Sequence, residues 1–277
     1  MASDRSGPDA AGLAADLGRL GIADTPGILV HSSLRQLGHL PDGAATLFSA
    51  IRSAAGPHTT VVVPTHTANN SLSSRDFVTA TAGLDRAGVE RHIRKMPGFD
   101  PAETPSNGMG VFAEYVRRRP DSVRSTHPQT SFAAVGPAAA GWMAVHDSDC
   151  HLGERSPLQA LYAAGAQVLL LGVGFDRCTA FHLGEYRMGG SVPVREYDCF
   201  VQGSSGRQPL RFTDIRLDDG DFEALGADFT RETVVADGRV GAARAMAFPI
   251  RAAVDFAARW MRRYRPGSGP ADAGAAG

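Results

Sequence analysis

The segment TAFHLGE spaces Thr179, His182 and Glu185 at i, i+3, i+6. A helix there would carry a hydroxyl, an imidazole and a carboxylate on one face. An imidazole beside a carboxylate is the pairing that general acid–base catalysis needs, because the carboxylate orients the ring and makes it more basic. The plainer alternative is a histidine satisfied in the core or at the surface. The preceding VLLLGVGFDR reads as a buried strand and a glycine-lined turn, with Asp176 as N-cap of the helix. That sets the pair at the mouth of a central strand, where ligand crevices form. Cys178 is either a thiol nucleophile or, with no second feature pointing to it, a small buried thiol.

Other polar groups follow two further buried runs. His31-Ser32-Ser33-Leu34 comes after Ile28-Leu29-Val30, and Pro64-Thr65-His66-Thr67 closes the run from Thr60 to Val63. In equivalent positions at strand ends, the two tetrapeptides reinforce one another. Hydroxyls and backbone N–H groups in such a turn hold phosphate without a Walker lysine, or else Ser32 or Ser33 caps a helix. In RSTHPQTSF, Pro128 keeps His127 extended, where it either faces a ligand or hydrogen-bonds a loop, and Ser131 opens the next strand. LGERSPLQ gives an N-cap, first-turn proline and capping-box pattern at Ser156, Pro157 and Gln159. Glu154 lies just ahead of that helix, where its dipole favours an ionised carboxylate, or pairs structurally with Arg155. Between Thr213 and Asp228 six acids, Asp214 among them, stand against the single Arg216. That excess attracts a polycation or makes a solvated helix start.

The surrounding elements alternate. Leu13, Leu17 and Leu20 mark a helix, Ile28 to His31 a strand, Leu47, Phe48 and Ile51 a helix, and Thr60 to Val63 a strand. This is the grammar of a parallel sheet with covering helices. Periodicity fades from Ala68 to Thr104, which reads as an irregular excursion or a lid. Order resumes with a helix over Met109 to Arg119, a strand over Ser131 to Val135, a helix over Pro137 to His146 and a central strand over Gln167 to Val173. Val194 to Val201 and Leu210 to Ile215 bracket GSSGR as a hairpin. A second hairpin spans Val234 to Phe248 with its break at Asp237-Gly238, and a helix over Ala252 to Tyr264 ends in a solvated arginine cluster. The reading is one α/β domain with a mixed sheet over residues 9–264, with disordered ends at 1–8 and 265–277.

Composition excludes several classes. Lys+Arg 28 against Asp+Glu 29 leaves a net charge of -1, so there is no overall pull on nucleic acid or anionic lipid. Of the cations only Lys95 is lysine, a skew that reads as GC-rich coding. Cys150, Cys178 and Cys199 form no CxxC or metal-ligand cluster, so no metal is expected. The start of the chain has no apolar leader pattern and no run approaches a membrane span, which points to a reducing cytoplasm. GVGFDR is not a GxGxxG fingerprint, which argues against a Rossmann cofactor site.

The order VHSSLRQLG, VVVPTHT, FDPAETPSNGMGVFAEYVRRRPDSVRSTHPQTSFAAVG, LGERSPLQALYAAGAQVLLLGVGFDRCTAFHLGEYR and DGRVGAARA resembles the aminoglycoside 3-N-acetyltransferase family. The resemblance implies a three-layer α/β/α fold and direct transfer of acetyl from acetyl-CoA to an antibiotic amine. It implies cosubstrate contacts at His31, Ser32, Ser33 and Leu34 and at Thr65, His66 and Thr67, with Ser131 beside them. The catalytic histidine falls on His182 and its supporting carboxylate on Glu154, with Thr179 and Glu185 as polar companions. Polyamino sugars are polycations, so Asp214, His127 and Asp176 become acceptor-site residues. Family members carry aromatic residues between PTHT and FDP, where this chain has no Trp, so the segment that shapes the acceptor pocket departs from the pattern. An amine intermediate of natural-product biosynthesis is the alternative acceptor, and a CoA-binding protein without turnover the alternative class. No nucleic acid or membrane partner is implied; a homodimer is allowed.

Overall fold

The buried aliphatic runs that end in polar tetrapeptides become neighbouring parallel strands. The computed structural model describes residues 8–265. In chain order it contains α1 (Ala10–Gly18), β1 (Gly27–Ser32), α2 (Ala44–Ala55), β2 (Thr60–Pro64), α3 (Arg75–Thr81), α4 (Arg86–Lys95) and α5 (Gly110–Arg117). Then come β3 (Val123–Arg124), β4 (Phe132–Val135), α6 (Ala139–Met143), α7 (Pro157–Ala164), β5 (Gln167–Leu171) and α8 (Phe181–Arg187). The hairpin β6 (Val194–Gly203) and β7 (Gly206–Ile215), α9 (Phe222–Glu232), β8 (Ala236–Val240), β9 (Ala243–Pro249) and α10 (Ile250–Tyr264) complete it.

The main sheet runs β3-β4-β2-β1-β5-β9-β8. β1 pairs in parallel with β2 and β5, while the outer strands are antiparallel. Alternation along each strand sends side chains to opposite faces. Leu29, Val62, Val168 and Leu170 pack with residues of α6 to α10. Ile28, Val30, Val61, Val63 and Leu169 pack with α1, α2 and α5. Helices therefore cover both faces of a mixed sheet, the expected three-layer α/β/α arrangement.

Several local expectations are corrected. The stretch from Ala68 to Thr104 is not devoid of order: α3 and α4 start on the caps Ser74 and Asp85, whose side chains accept from Phe77 N–H and Gly88 N–H. The helix expected over Pro137 to His146 is confined to Ala139–Met143. Ser156 does cap α7 and Pro157 opens it, but Gln159 accepts from Arg187 instead of closing a capping box. Asp237-Gly238 lies inside β8, where Asp237 pairs with Arg244 of β9; the chain reverses at Gly241, whose φ is 57°. The C-terminal arginines are not uniformly solvated, since Arg262 donates to the carbonyls of Arg187 and Met188. The expectation of disordered ends falls outside the described residues except at Pro8 and Arg265, and Arg265 is firmly ion-paired. Among the described residues, no helix is long and apolar enough to cross a membrane.

Candidate active site

The parallel strands β1, β2 and β5 end on one side of the sheet, and their ends meet there in a cleft of about 650 Å³. His31 to Arg35 enter from β1, His66 from β2, and Gly172 to Gly174 with Asp176 to Thr179 from β5. Gly172, with φ 64°, permits the sharp exit from β5; a Cβ there would lie 2.5 Å from Cβ of Gln36. The start of α5 and residues Asp219 and Phe222 close the remaining sides.

His182 lines this cleft from the first turn of α8. Its Nδ1 lies 2.6 Å from Glu185 Oε2, one turn on. A carboxylate only accepts, so Nδ1 carries the hydrogen and Nε2 keeps its lone pair for a ligand. Phe222 flanks the ring at 4.7 Å between centroids. Glu185 is 1% exposed, and its second oxygen accepts from Asp218 N–H at 2.9 Å and from Arg265 Nη1 at 2.6 Å. A buried carboxylate is thus held on both oxygens, which offsets the cost of taking its charge out of water. Asp176 does not cap α8: it sits in the 3-10 turn Phe175–Arg177, paired with Arg177 at 3.0 Å, and Thr179 also precedes the helix. Both line the cleft. Burial pushes the Cys178 thiol up to about 12, which removes the thiolate that a nucleophile needs.

The cleft also presents polar atoms that the fold leaves unused. His31 and His66 each have a buried Nε2 without a hydrogen-bond partner among the described residues. Burial, reinforced by His182, pushes His31 down to about 3, and burial with His182 and His31 holds His66 well below the usual range. Both imidazoles are therefore neutral near pH 7, with Nε2 left to a ligand. Ser33 occupies the N-cap position of the turn Leu34–Leu37 without a capping bond from its side chain, so the helix-cap reading of that serine is not realised.

Other expected site residues lie elsewhere. Glu154 is half-exposed and grips Arg187 at 2.6 and 2.9 Å; the carboxylate on His182 is Glu185. Thr65 and Ser131 are fully buried and bond each other and Arg124, while Thr67 donates to the Pro128 carbonyl. His127 is fully buried too: its Nδ1 accepts from the N–H groups of Gln129 and Thr130 at 3.1 Å, and Nε2 donates to the Ser148 carbonyl. Asp214 accepts from His151 N–H and Nδ1 at 2.7 Å and from Tyr186 OH at 2.6 Å. None of Thr65, Thr67, His127, Ser131, Glu154 or Asp214 lines the cleft. Of the acidic stretch, Asp219 rather than Asp214 reaches the cleft; sequence reasoning missed Phe222 and Arg265, and also the start of α5, for which the glycines around Met109 were a signal.

The model of the aminoglycoside 3-N-acetyltransferase family matches residues 29–262. The chain belongs to this family. Arg265 lies just beyond the matched segment. The acetyltransferase is 33% identical over 267 residues to aminoglycoside N(3)-acetyltransferase VII of Streptomyces paromomycinus, covering 90% of each chain. The crystal structure of the YokD protein from Bacillus subtilis superimposes with a TM-score of 0.85 at 29% identity, over 92% of this chain and 94% of that one. The structure of AAC-IIIb in a binary complex with CoASH superimposes with a TM-score of 0.81 at 28% identity, over 93% and 97%. The fold and family expected from the order of motifs are both upheld.

Proposed function

We propose that this acetyltransferase moves the acetyl group of acetyl-CoA to an amino group of an aminoglycoside, and so confers resistance in the cytoplasm of the cell that makes it. The observation that carries the reading is the 2.6 Å contact between His182 and the buried Glu185 in a cleft at the parallel strand ends. Family membership and the likeness to a CoASH complex support acetyl-CoA as donor.

Acetyl-CoA, when bound, supplies an activated acyl group and a thiol leaving group. The chain's residues do the rest. An alkylammonium has no lone pair, so it must lose a proton before its nitrogen can attack. His182 Nε2 takes that proton, and Glu185 at Nδ1 stabilises the imidazolium that results. The freed amine then forms the C–N bond, the C–S bond breaks, the imidazolium gives its proton to the departing sulfur, and the nitrogen's remaining extra proton passes to water, leaving a neutral amide and a free thiol. A positioned base of this kind contributes roughly 10²–10⁴-fold. His31, Ser32, Ser33 and His66 offer polar contacts to the donor, and Thr179 stands beside the reacting groups. The cationic acceptor is held by Asp176 and Asp219, carboxylates about half exposed at the cleft.

Thiol release is the test, with purified protein, acetyl-CoA and a panel of aminoglycosides plus simpler amines. Release with at least one aminoglycoside, and a raised inhibitory concentration for it in cells expressing the chain, is expected. Turnover only with other amines would overturn the acceptor, and no turnover with any amine would overturn the enzyme.

A further inference from the structure

Arg265 is 15% exposed at its side chain and follows the last turn of α10, where its N–H still donates to the Met261 carbonyl. Its guanidinium reaches two places at once. Nη1 donates to Glu185 Oε1 at 2.6 Å, on the far side of the carboxylate from His182. Nε and Nη2 fork onto Asp221 at 2.9 and 2.7 Å, and Nη2 also donates to the Asp218 carbonyl at 2.7 Å. The segment so held returns the Asp218 N–H to Glu185 and carries Asp219 and Phe222 into the cleft.

We propose that Arg265 is a positioning residue for acetyl transfer: it balances the charge of Glu185 and Asp221 behind His182 and fixes the acidic segment at the acceptor side of the cleft. The inference rests on the reading of His182 as the base. The planar fork is what lets one cation serve two carboxylates and a carbonyl in fixed geometry. Its charge has a definite consequence. With Arg265 in place, the charge of the two carboxylates that it binds is partly neutralised. Without it their unopposed negative charge favours the imidazolium and withdraws the free base. The cleft that His182 lines also holds His31 of β1 and Arg35 after it, His66 after β2, Asp176, Arg177 and Cys178 of the turn before α8, and Asp219; Tyr197 of β6 interacts with Glu185. None of them changes in the variants below.

The test is Arg265→Met, read by kcat/KM against pH and by NMR titration of the His182 ring, which needs no turnover. The expected result is an acid limb and a ring titration both moved up by about one unit. On the acid side that lowers kcat/KM about tenfold, with the loss shrinking toward the alkaline plateau. Arg265→Lys, which keeps the charge, returns the limb most of the way while KM for the acceptor stays raised. Asp221→Asn removes an anion from the same place and moves the titration down, so it reads the same coupling with the opposite sign even if R265M does not fold. A folded R265M with an unmoved ring titration, or D221N shifted upward or not at all, would overturn the proposal. A wild type that releases no thiol while these titrations move as expected would overturn the functional reading alone.

Discussion

His182 and Glu185 sit three residues apart on α8, and their contact divides the labour between carboxylates in the molecule. Glu185 is buried against the ring, whereas Glu154 is half-exposed and bound to Arg187. A half-exposed ion pair contributes about 0–1 kcal/mol, and Glu154 has no path to the proton in flight. His182→Ala is therefore expected to lower kcat at least about a hundredfold, and Glu185→Gln by about 10–100-fold, since the amide keeps a hydrogen bond but not the charge. Glu154→Gln should stay within about threefold of wild type. Steady-state thiol release on one accepted amine ranks all of these, and a Glu154 variant as damaged as the Glu185 variant would return the supporting role to Glu154.

The helix that carries His182 is set by packing against α10. Gly184 lies on that contact: a Cβ there would sit 2.7 Å from Cβ of Ala257 and 3.0 Å from the backbone nitrogen of Ala258. Neither neighbour is the far end of a flexible side chain, so α8 itself must shift. Gly184→Ala gains about 1 kcal/mol of helix propensity but loses about 1–3 kcal/mol to overpacking. Overpacking should win, with a melting temperature lower by about 2–6 °C and a fall in kcat as His182 moves. A calorimetric scan alongside the thiol assay reads both, and unchanged melting would mean that α8 and α10 separate freely. How far elements were legible follows from the range of the contacts that define them. The ends of β1, β2 and β5 show in the sequence because a buried apolar run stops at a polar tetrapeptide, and the His182–Glu185 pair shows because i, i+3 spacing is local. Arg265 does not show, because it meets Glu185 only after α10 has crossed the sheet, and its own neighbours Pro266 and Gly267 suggest a tail. Asp214 and His127 mislead for the same reason. A loop and the hairpin bring them together with His146 and His151 in the interior, where charge and ring nitrogens are already taken.

Across the whole molecule, buried histidines make stability depend on pH before the carboxylates do. His31 and His146 are each pushed down to about 3, chiefly by burial, from an ordinary 6.5. His66 and His127 move the same way, with burial again the main cause. His146 is already satisfied as a neutral ring on both nitrogens, Nδ1 to Ser125 Oγ at 2.9 Å and Nε2 to the His151 carbonyl at 2.7 Å, and burial penalises a second ring proton. Between pH 6.5 and 3 the unfolded chain binds protons that the folded chain refuses. The stability carried by these neutral rings is therefore whole above about pH 6.5 and drains away as pH falls. At about pH 5 the loss is about 2 kcal/mol for each of His31 and His146, a large share of an ordinary domain's total. Carboxylates act lower. Burial opposes the hydrogen bonds from His151 and Tyr186 to Asp214, but the bonds prevail and hold it below 3.8, so its contribution survives until the pH approaches that value. Urea unfolding midpoints should accordingly be flat from about pH 8 to 7 and fall steeply from about 6.5 to 5. His146→Gln, destabilised at about pH 8 by the altered packing, should show a shallower fall over that window because one refused proton is gone. A parallel fall in wild type and H146Q would mean that the histidine cluster does not control the acid limit of the fold.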